Sequence, residues 1–149
     1  MSNPMYGQNK ADNAIESGRL GPIFDIGADV TITSAVYPSG SILRFTPPAL
    51  AGALDITLPA HKDGLVYHIY QMADYDTAVC NVASADGNDF EGCIDAATGA
   101  GDTATATDDK IVFGSATLAG DKVSLISWKG KWFSFESYSA VTTDGVLFG

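Results

Sequence analysis

Hydrophobic and polar residues alternate with a period of two along much of the chain, which is the pattern that β-strands produce. The clearest stretch is residues 120–138, GDKVSLISWKGKWFSFESY, in which two alternating segments flank Lys129-Gly130. Two-residue hairpin turns need positive φ, which Gly adopts readily, so this stretch predicts a β-hairpin. Trp128 and Trp132 bracket the turn, and we expect them to form an aromatic pair across the two strands.

Shorter segments with the same alternation follow one another from residue 26 onward, separated by turn residues about every 8–12 positions. The segment GLVYHIYQM predicts a central strand, and LDITL places Leu54, Ile56 and Leu58 on one face. The other predicted strands read DVTITSAVY, SILRF, TAVCNVA, FEGCI and KIVFG. Residues 95–109 are small and polar and predict a loop. The whole pattern predicts an all-β fold, either an antiparallel β-sandwich or a jelly-roll-like barrel.

Residues 1–26 differ from the rest of the chain, because they contain several Gly and Pro residues and one short segment, residues 10–17, that is compatible with a helix. A single short helix without a partner is not stable by itself. We therefore predict an extended N-terminal arm (residues 1–26) followed by one β-sandwich domain (residues 27–149). The arm has little apolar core of its own, so we expect it to dock either on its own domain or on a neighbouring subunit.

The chain contains 18 acidic and 8 basic residues, which gives a net charge of −10, and its pI is about 4.2. The basic residues are scattered singly and form no stripe that could contact phosphates, so we predict no nucleic-acid partner. No apolar run is long enough to span a bilayer, and the polar start, MSNPMYGQNKADNAIES, lacks the apolar region of a signal peptide. We expect synthesis in a cytoplasm and no membrane partner.

Cys80 and Cys93 both fall in predicted strands. We expect two buried thiols that pack as small hydrophobic side chains, and the alternative is a cross-strand disulfide, which a reducing compartment disfavours. The only histidines are His61 and His68, so the chain offers no ligand set for zinc.

The segment ADGNDFEG, residues 85–92, is the strongest candidate for a metal site. Its carboxylates and its amide lie close together, as calcium ligands do, but their order does not match an EF-hand loop, and the same residues form ordinary tight turns. We therefore predict a turn between Asp86 and Glu91, with calcium binding as the alternative. The sequence contains no nucleophile elbow, phosphate loop or dinucleotide fingerprint, so we predict neither catalytic residues nor a cofactor.

Six aromatic residues could form a platform on which sugar rings stack: Tyr67, Tyr70, Tyr75, Trp128, Trp132 and Tyr138. The alternative is that these residues belong to the core and to cross-strand pairs. Trp132 stands out among them, because the alternation places it on the opposite face from Phe133 and Phe135.

Two segments, SADGNDFEGCI and KIVFGSATLAGDKVSLISWKGKWFSF, resemble a β-rich module of bacteriophage virion proteins. The shared features are the D-G-N-D-F-E-G turn, the F-G strand end, and G-D-x-V-x-L-I-S followed by G-K-W-F. The module is associated with small head-decoration proteins and with distal fibre or adhesin domains, especially of marine phages. The resemblance covers residues 58–138 and leaves the N-terminal arm outside.

The resemblance implies a virion structural protein without enzymatic activity, made in the host cytoplasm and located on the capsid surface. We expect a homotrimeric capsid decoration (cement) protein whose partner is the major capsid protein at the outer surface of the head. The expected inter-subunit anchors are four apolar residues of the arm: Tyr6, Ile15, Leu20 and Phe24. The alternative is a receptor- or glycan-binding module of a tail fibre or spike, in which the aromatic residues and the acidic turns form the binding surface.

Overall fold

The structure is a computed structural model that describes residues 21–47, 52–75, 78–87, 90–97, 101–105, 108–140 and 145–149. Within these ranges all regular secondary structure is β-strand. The strands are β1 (Ile23–Ile26), β2 (Val30–Thr31), β3 (Ser41–Phe45), β4 (Leu54–Leu58), β5 (Val66–Gln71), β6 (Cys80–Ser84), β7 (Phe90–Ala96), β8 (Asp102–Thr103), β9 (Lys110–Phe113), β10 (Lys122–Trp128), β11 (Lys131–Ser139) and β12 (Val146–Phe148). None of the described residues forms a helix long and apolar enough to cross a membrane.

The strands form two sheets, one of seven strands in the order β1-β3-β5-β10-β11-β7-β8 and one of five strands in the order β12-β9-β6-β4-β2. Both sheets contribute to one hydrophobic core, which confirms the predicted all-β sandwich. β5 lies near the centre of the larger sheet, as predicted for GLVYHIYQM. The sheets are mixed rather than purely antiparallel, because five of the ten strand pairs among the described residues are parallel.

The first six strands account for most of the parallel pairs. The chain passes from one sheet to the other after each of them, so that β1, β3 and β5 lie side by side in the larger sheet. In the same way β2, β4 and β6 lie side by side in the smaller sheet. Each successive pair of strands therefore adds one strand to each sheet, and the chain winds around the core as it does so. The turns differ in length, so the sequence contains no repeat from which this winding could be predicted.

The core consists of side chains that alternate toward the space between the sheets. β4 contributes Leu54, Ile56 and Leu58, as predicted, and all three are buried. The largest fully buried side chains belong to Trp132, Tyr67, Phe45, Phe90 and Phe113. Phe45 and Phe113 come from different sheets and meet edge to face with ring centroids 5.0 Å apart, which is a favourable aromatic geometry.

β10 and β11 form the predicted hairpin. Lys129 and Gly130 have φ of 49° and 73°, and positive φ at both central positions is what a type I′ turn requires. The predicted pairing of Trp128 with Trp132 is wrong. Trp128 lies opposite Lys131 in the register, so Trp132, one position further along β11, projects from the other face of the sheet.

A β-bulge interrupts β11 near its middle. Ser124 lies opposite Phe135, whereas Lys122, two residues earlier, lies opposite Tyr138, three residues later. Glu136 has φ of 47° at this point. The extra residue shifts the alternation of β11 by one position. Phe135 and Tyr138 therefore both project from the same side of the sheet as Lys122.

Two predicted segments differ from the structure. Only Val30–Thr31 of DVTITSAVY forms a strand, because the chain turns after it. The carbonyl of Thr33 accepts hydrogen bonds from the amides of Val36 and Tyr37 at 3.1 and 2.8 Å. The described part of the predicted loop at residues 95–109 contains the short strand β8, which pairs with β7.

The N-terminal arm predicted over residues 1–26 is described only from Gly21 onward, so the predicted helix at residues 10–17 lies outside the described part of the chain. β1 pairs in parallel with β3, from Ile23 opposite Ile42 to Ile26 opposite Phe45. The larger sheet therefore includes the last four residues of the predicted arm, and the sandwich begins earlier than residue 27.

Candidate functional site

The outer side of the seven-stranded sheet carries an unusual set of side chains. Positions that alternate with the buried core residues of β1, β3, β5, β10, β11 and β7 project away from the core. We call this surface the aromatic face; its residues are Ile23, Asp25, Ile42, Arg44, Val66, His68, Tyr70, Glu91, Cys93, Asp95, Lys122, Ser124, Ile126, Trp128, Lys131, Phe133, Phe135 and Tyr138.

The strand register arranges these side chains in three rows across the sheet. The first row contains Asp25, Arg44, Tyr70, Lys122, Tyr138 and Asp95. The second row contains Ile23, Ile42, His68, Ser124 and Phe135. The third row contains Val66, Ile126, Phe133 and Glu91. Because neighbours in a row lie one strand spacing apart, Ile23 and Ile42 are adjacent on β1 and β3, and Val66, Ile126 and Phe133 are adjacent on β5, β10 and β11, while charged side chains alternate with Tyr70 and Tyr138 in the first row.

Three large hydrophobic residues of this face are exposed to solvent, and two of them are aromatic. Trp128 is 52% exposed, Tyr138 41% and Ile23 53%. The Trp128 ring lies 6.0 Å from the Phe133 ring, and the Nζ atom of Lys129 lies 4.7 Å from the centre of the Trp128 ring. The rings therefore form part of a contiguous surface and are not isolated exposed residues.

The outer side of the five-stranded sheet provides the comparison. It carries Asp55, Asn81, Thr57 and Lys110 beside the aliphatic Val112 and Leu147, and the side-chain amide of Asn81 donates a hydrogen bond to Asp55 at 2.8 Å. No strand residue described on this side is aromatic. Exposed aromatic rings among charged residues, as on the other sheet, are typical of protein interaction sites.

The aromatic face is large enough for a specific protein contact. Six strands at a spacing of about 4.8 Å and about seven residues along β10 give an area of roughly 24 by 20 Å. Covering it on both partners would bury about 1,000 Å², the lower limit for a specific interface.

Charges on and beside this face balance, although the chain as a whole is strongly acidic. Four basic and four acidic residues lie there: Arg44, Lys122, Lys129, Lys131, Asp25, Glu91, Asp95 and Glu136. The other fourteen acidic and four basic residues of the sequence account for the whole net charge of −10. Arg44 and Asp25 form a two-bond ion pair with N–O distances of 2.8 and 2.9 Å.

His68 lies near the centre of the aromatic face. Its Nδ1 atom is 2.8 Å from the hydroxyl of Ser124, and its ring meets the ring of Phe135 edge to face at 6.0 Å. Partial burial is the main cause that lowers the pKa of His68, the charge of Lys122 lowers it further, and the charge of Glu136 raises it.

Only one of the four predicted anchors lies in the described part of the chain. Tyr6, Ile15 and Leu20 lie outside the described residues. Phe24 packs against the core of its own domain, with its ring 4.8 Å from the ring of Tyr37 at an angle of 67°. Its role as an anchor between subunits stays a prediction.

The predicted aromatic platform is divided between the two sides of the sheet. Trp132 and Tyr67 are fully buried in the core, so for these two residues the core alternative is the correct one. Tyr70, Trp128 and Tyr138 lie on the aromatic face. Both sides of β5, β10 and β11 are therefore rich in apolar residues, a signal that is visible in their sequences.

In the acidic turn at residues 85–92, the carboxylates of Asp86 and Glu91 contact different residues. The carboxylate of Asp86 accepts a hydrogen bond from the amide of His61 at 2.7 Å and lies 2.9 Å from its Nδ1 atom. Glu91 lies on the aromatic face, 3.8 Å from the Nζ atom of Lys131. Among the described residues, no group of three His, Cys, Asp or Glu side chains could hold a metal ion.

The two cysteines are both free and occupy different environments. Cys80 is buried, and its burial raises the pKa of the thiol. Cys93 is exposed, so the prediction of two buried thiols is correct only for Cys80. Cys93 lines a groove of about 490 Å³ together with Glu91 and Lys131.

No protein-family model matches this chain, and comparisons with curated proteins and with solved structures give no match either.

Proposed function

We propose that this protein is a non-catalytic capsid decoration protein that binds the outer surface of a phage head through its aromatic face. The observation that carries the proposal is the contrast between the two outer sides of the sandwich: the larger sheet's carries five aromatic side chains, and the smaller sheet's carries none among the described strand residues. The resemblance to phage virion modules supplies the class of assembly.

The residue types of the aromatic face support a protein partner. Trp, Tyr and Arg are the residues that most often dominate the binding energy of protein interfaces, and Trp128, Tyr70, Tyr138 and Arg44 all lie on this face. The face is a broad sheet surface and not a deep pocket, so it suits a wide and shallow partner such as a capsid shell. Its balanced charge also limits the repulsion that the acidic chain would otherwise exert on an acidic shell.

The two-sided sandwich suggests how the protein would sit on the head. The aromatic face would be buried against the shell, and the outer side of the smaller sheet, with Asp55, Asn81 and Lys110, would remain in water. Binding to the assembled shell alone stabilises that shell by mass action, by about 2.7 kcal/mol per site when the free protein is at 100 times its Kd.

Binding to heads that lack this protein tests the proposal. In the double variant Trp128→Ala/Tyr138→Ala, both altered residues are exposed, so the fold should persist while affinity for heads falls by about 30-fold or more. The control variant Asp55→Ala/Lys110→Ala alters the outer side of the smaller sheet and should bind like the wild-type protein. Equal affinity of the double variant and the wild type would contradict the proposal.

A glycan-binding role at a tail fibre or spike is the second candidate, because the exposed Trp128 ring could also stack on a sugar. A glycan array distinguishes the two functions. Sugar binding that Trp128→Ala abolishes, without binding to heads, would favour the second candidate.

The predicted anchors of the arm, Tyr6, Ile15, Leu20 and Phe24, stay a prediction. Deleting residues 1–20 tests the first three and leaves Phe24 and β1 in the sheet. Loss of head binding on this deletion would assign attachment to the arm, and unchanged binding would leave it to the aromatic face.

A further inference from the structure

We infer that docking through the aromatic face is controlled by pH, and that His68 is the residue whose protonation releases the partner. This inference rests on the proposed docking of the face and adds its regulation.

The position of His68 carries the inference. It lies on β5, the third of seven strands, between Ile42 on one side and Ser124 on the other. Its apolar neighbours are Ile42, Val66 on its own strand, and Phe135, whose ring lies 6.0 Å away. A flat partner that covers the aromatic face therefore has to cover His68.

The charged groups around His68 do not favour its protonated form. Arg44 on β3 and Lys122 on β10 are both basic, and the carboxylate of Asp25 next to Arg44 is already paired with it. Glu136 on β11 is the acidic group that opposes them.

The direct contacts of the His68 ring do not favour its protonated form either. Nδ1 lies 2.8 Å from the Ser124 hydroxyl, a neutral group, and no carboxylate in the described ranges forms an ion pair with His68. Tyr70, two residues further along β5, places a phenol ring next to His68. An imidazolium at this position would therefore lack a contacting counter-charge.

Covering the face removes the water that now reaches the half-buried ring. Burial already lowers the pKa of His68, and removal of the remaining water acts in the same direction. The covered state then holds the neutral ring, so docking is strongest above the pKa of His68 in the free protein, which burial holds below the ordinary His value of about 6.5, and weakens as the pH falls below that pKa. One proton taken up on release changes the affinity by up to about tenfold per pH unit.

The chain offers a matched control, because it contains only two histidines. His61 lies in the connection before β5, beside Asp86 and outside the aromatic face. A change of affinity that depends on His68 can therefore be separated from one that depends on His61.

The experiment measures the affinity of the wild type, His68→Gln and His61→Gln for heads that lack this protein, at about pH 8 and about pH 5.5 and at constant ionic strength. We expect wild type and His61→Gln to bind more weakly at the lower pH, by up to about tenfold for each pH unit below the pKa of His68 in the free protein, and His68→Gln to bind equally at both. Unfolding midpoints of all three proteins at both pH values identify any loss of fold.

Three results would overturn the inference alone, and a fourth would overturn the docking proposal as well. The wild type could bind equally at both pH values, or His68→Gln could keep the full pH dependence. Tighter wild-type binding in acid would mean that the partner places a carboxylate against His68. Absence of wild-type binding at about pH 8 would remove the docking proposal itself, and this inference with it.

Discussion

Trp128 and Trp132 lie on opposite sides of one sheet, although only three residues separate them in the sequence. Trp132 is fully buried among the core side chains, whereas Trp128 is 52% exposed on the aromatic face. The two-residue turn between them causes this difference, because it places Trp128 opposite Lys131 and leaves Trp132 one position out of phase. The same hairpin thus supplies one Trp to the fold and one to the candidate site.

Alanine substitutions should separate these two roles. We expect Trp132→Ala to lower the free energy of unfolding by about 3–5 kcal/mol, because it removes a large buried side chain and leaves a cavity. Trp128→Ala should change it by about 0.5 kcal/mol or less, as is usual for an exposed position. Urea unfolding followed by far-UV circular dichroism measures both. Equal losses for the two variants would contradict the placement of the two rings.

The turn of the hairpin supports a second prediction. Gly130 has φ of 73°, and a Cβ atom added there would meet no atom within 4 Å, so the cost of a side chain is conformational. We expect Gly130→Ala to lower the free energy of unfolding by about 1 kcal/mol. Gly27→Ala is the matched control, since its Cβ would also be unobstructed and its φ lies outside the positive region. Similar effects of both substitutions in urea unfolding would argue against the type I′ turn.

Asp121 supports a prediction about pH and stability. Its carboxylate is buried and accepts hydrogen bonds from the amides of Leu118 at 3.1 Å and Ala140 at 2.8 Å. Burial is the main cause that raises its pKa, and the charge of Asp74 also raises it, while the two hydrogen bonds lower it. The folded protein therefore binds this proton more tightly than the unfolded chain does.

The sign of the pH effect follows from linkage. Stability from a group with a raised pKa is fully present below its unfolded pKa of about 4 and is lost as the pH rises through the folded pKa. We therefore expect the difference in unfolding free energy between wild type and Asp121→Asn to decrease from about pH 4 to about pH 7. Guanidinium unfolding of both proteins across this range measures it, and a difference that grows with pH would contradict the prediction. Taking the difference removes the titration of the other acidic residues.

The sequence predicted the parts of the fold that depend on local periodicity. The hairpin of β10 and β11 and the inward face of β4 follow directly from alternation and turn chemistry. The parallel winding of β1 to β6 was not predictable, because it depends on which distant strands pair, and no local pattern encodes that choice.

The candidate site was predictable only in part. Alternation correctly placed Trp132 on the face opposite to Phe133, but it did not show which of the two faces is covered by the second sheet. When both faces of a strand are apolar, burial is decided by the packing of the whole sandwich. The same limitation explains why Cys93 was expected to be buried, since its strand lies near the edge of the larger sheet and its side chain is on the outer face.

The two thiols provide a chemical test of this orientation. Thiolates react with maleimides, so an exposed Cys93 should be modified quickly in the folded protein. Cys80 is buried and the pKa of its thiol is raised, so it should react only after unfolding. We expect one label per chain in native buffer and two in denaturant, measured by intact mass. Two labels in native buffer would contradict the burial of Cys80.

Labelling at Cys93 also tests the aromatic face, because Cys93 lies on it between Glu91 and Asp95. A bulky maleimide–polyethylene glycol adduct should prevent a partner from covering the sheet, so the labelled protein should lose affinity for heads by at least about tenfold. Cys93→Ser treated with the same reagent should bind as the untreated wild type does, because its remaining thiol is buried. Full binding by the labelled wild-type protein would place the contact elsewhere on the molecule.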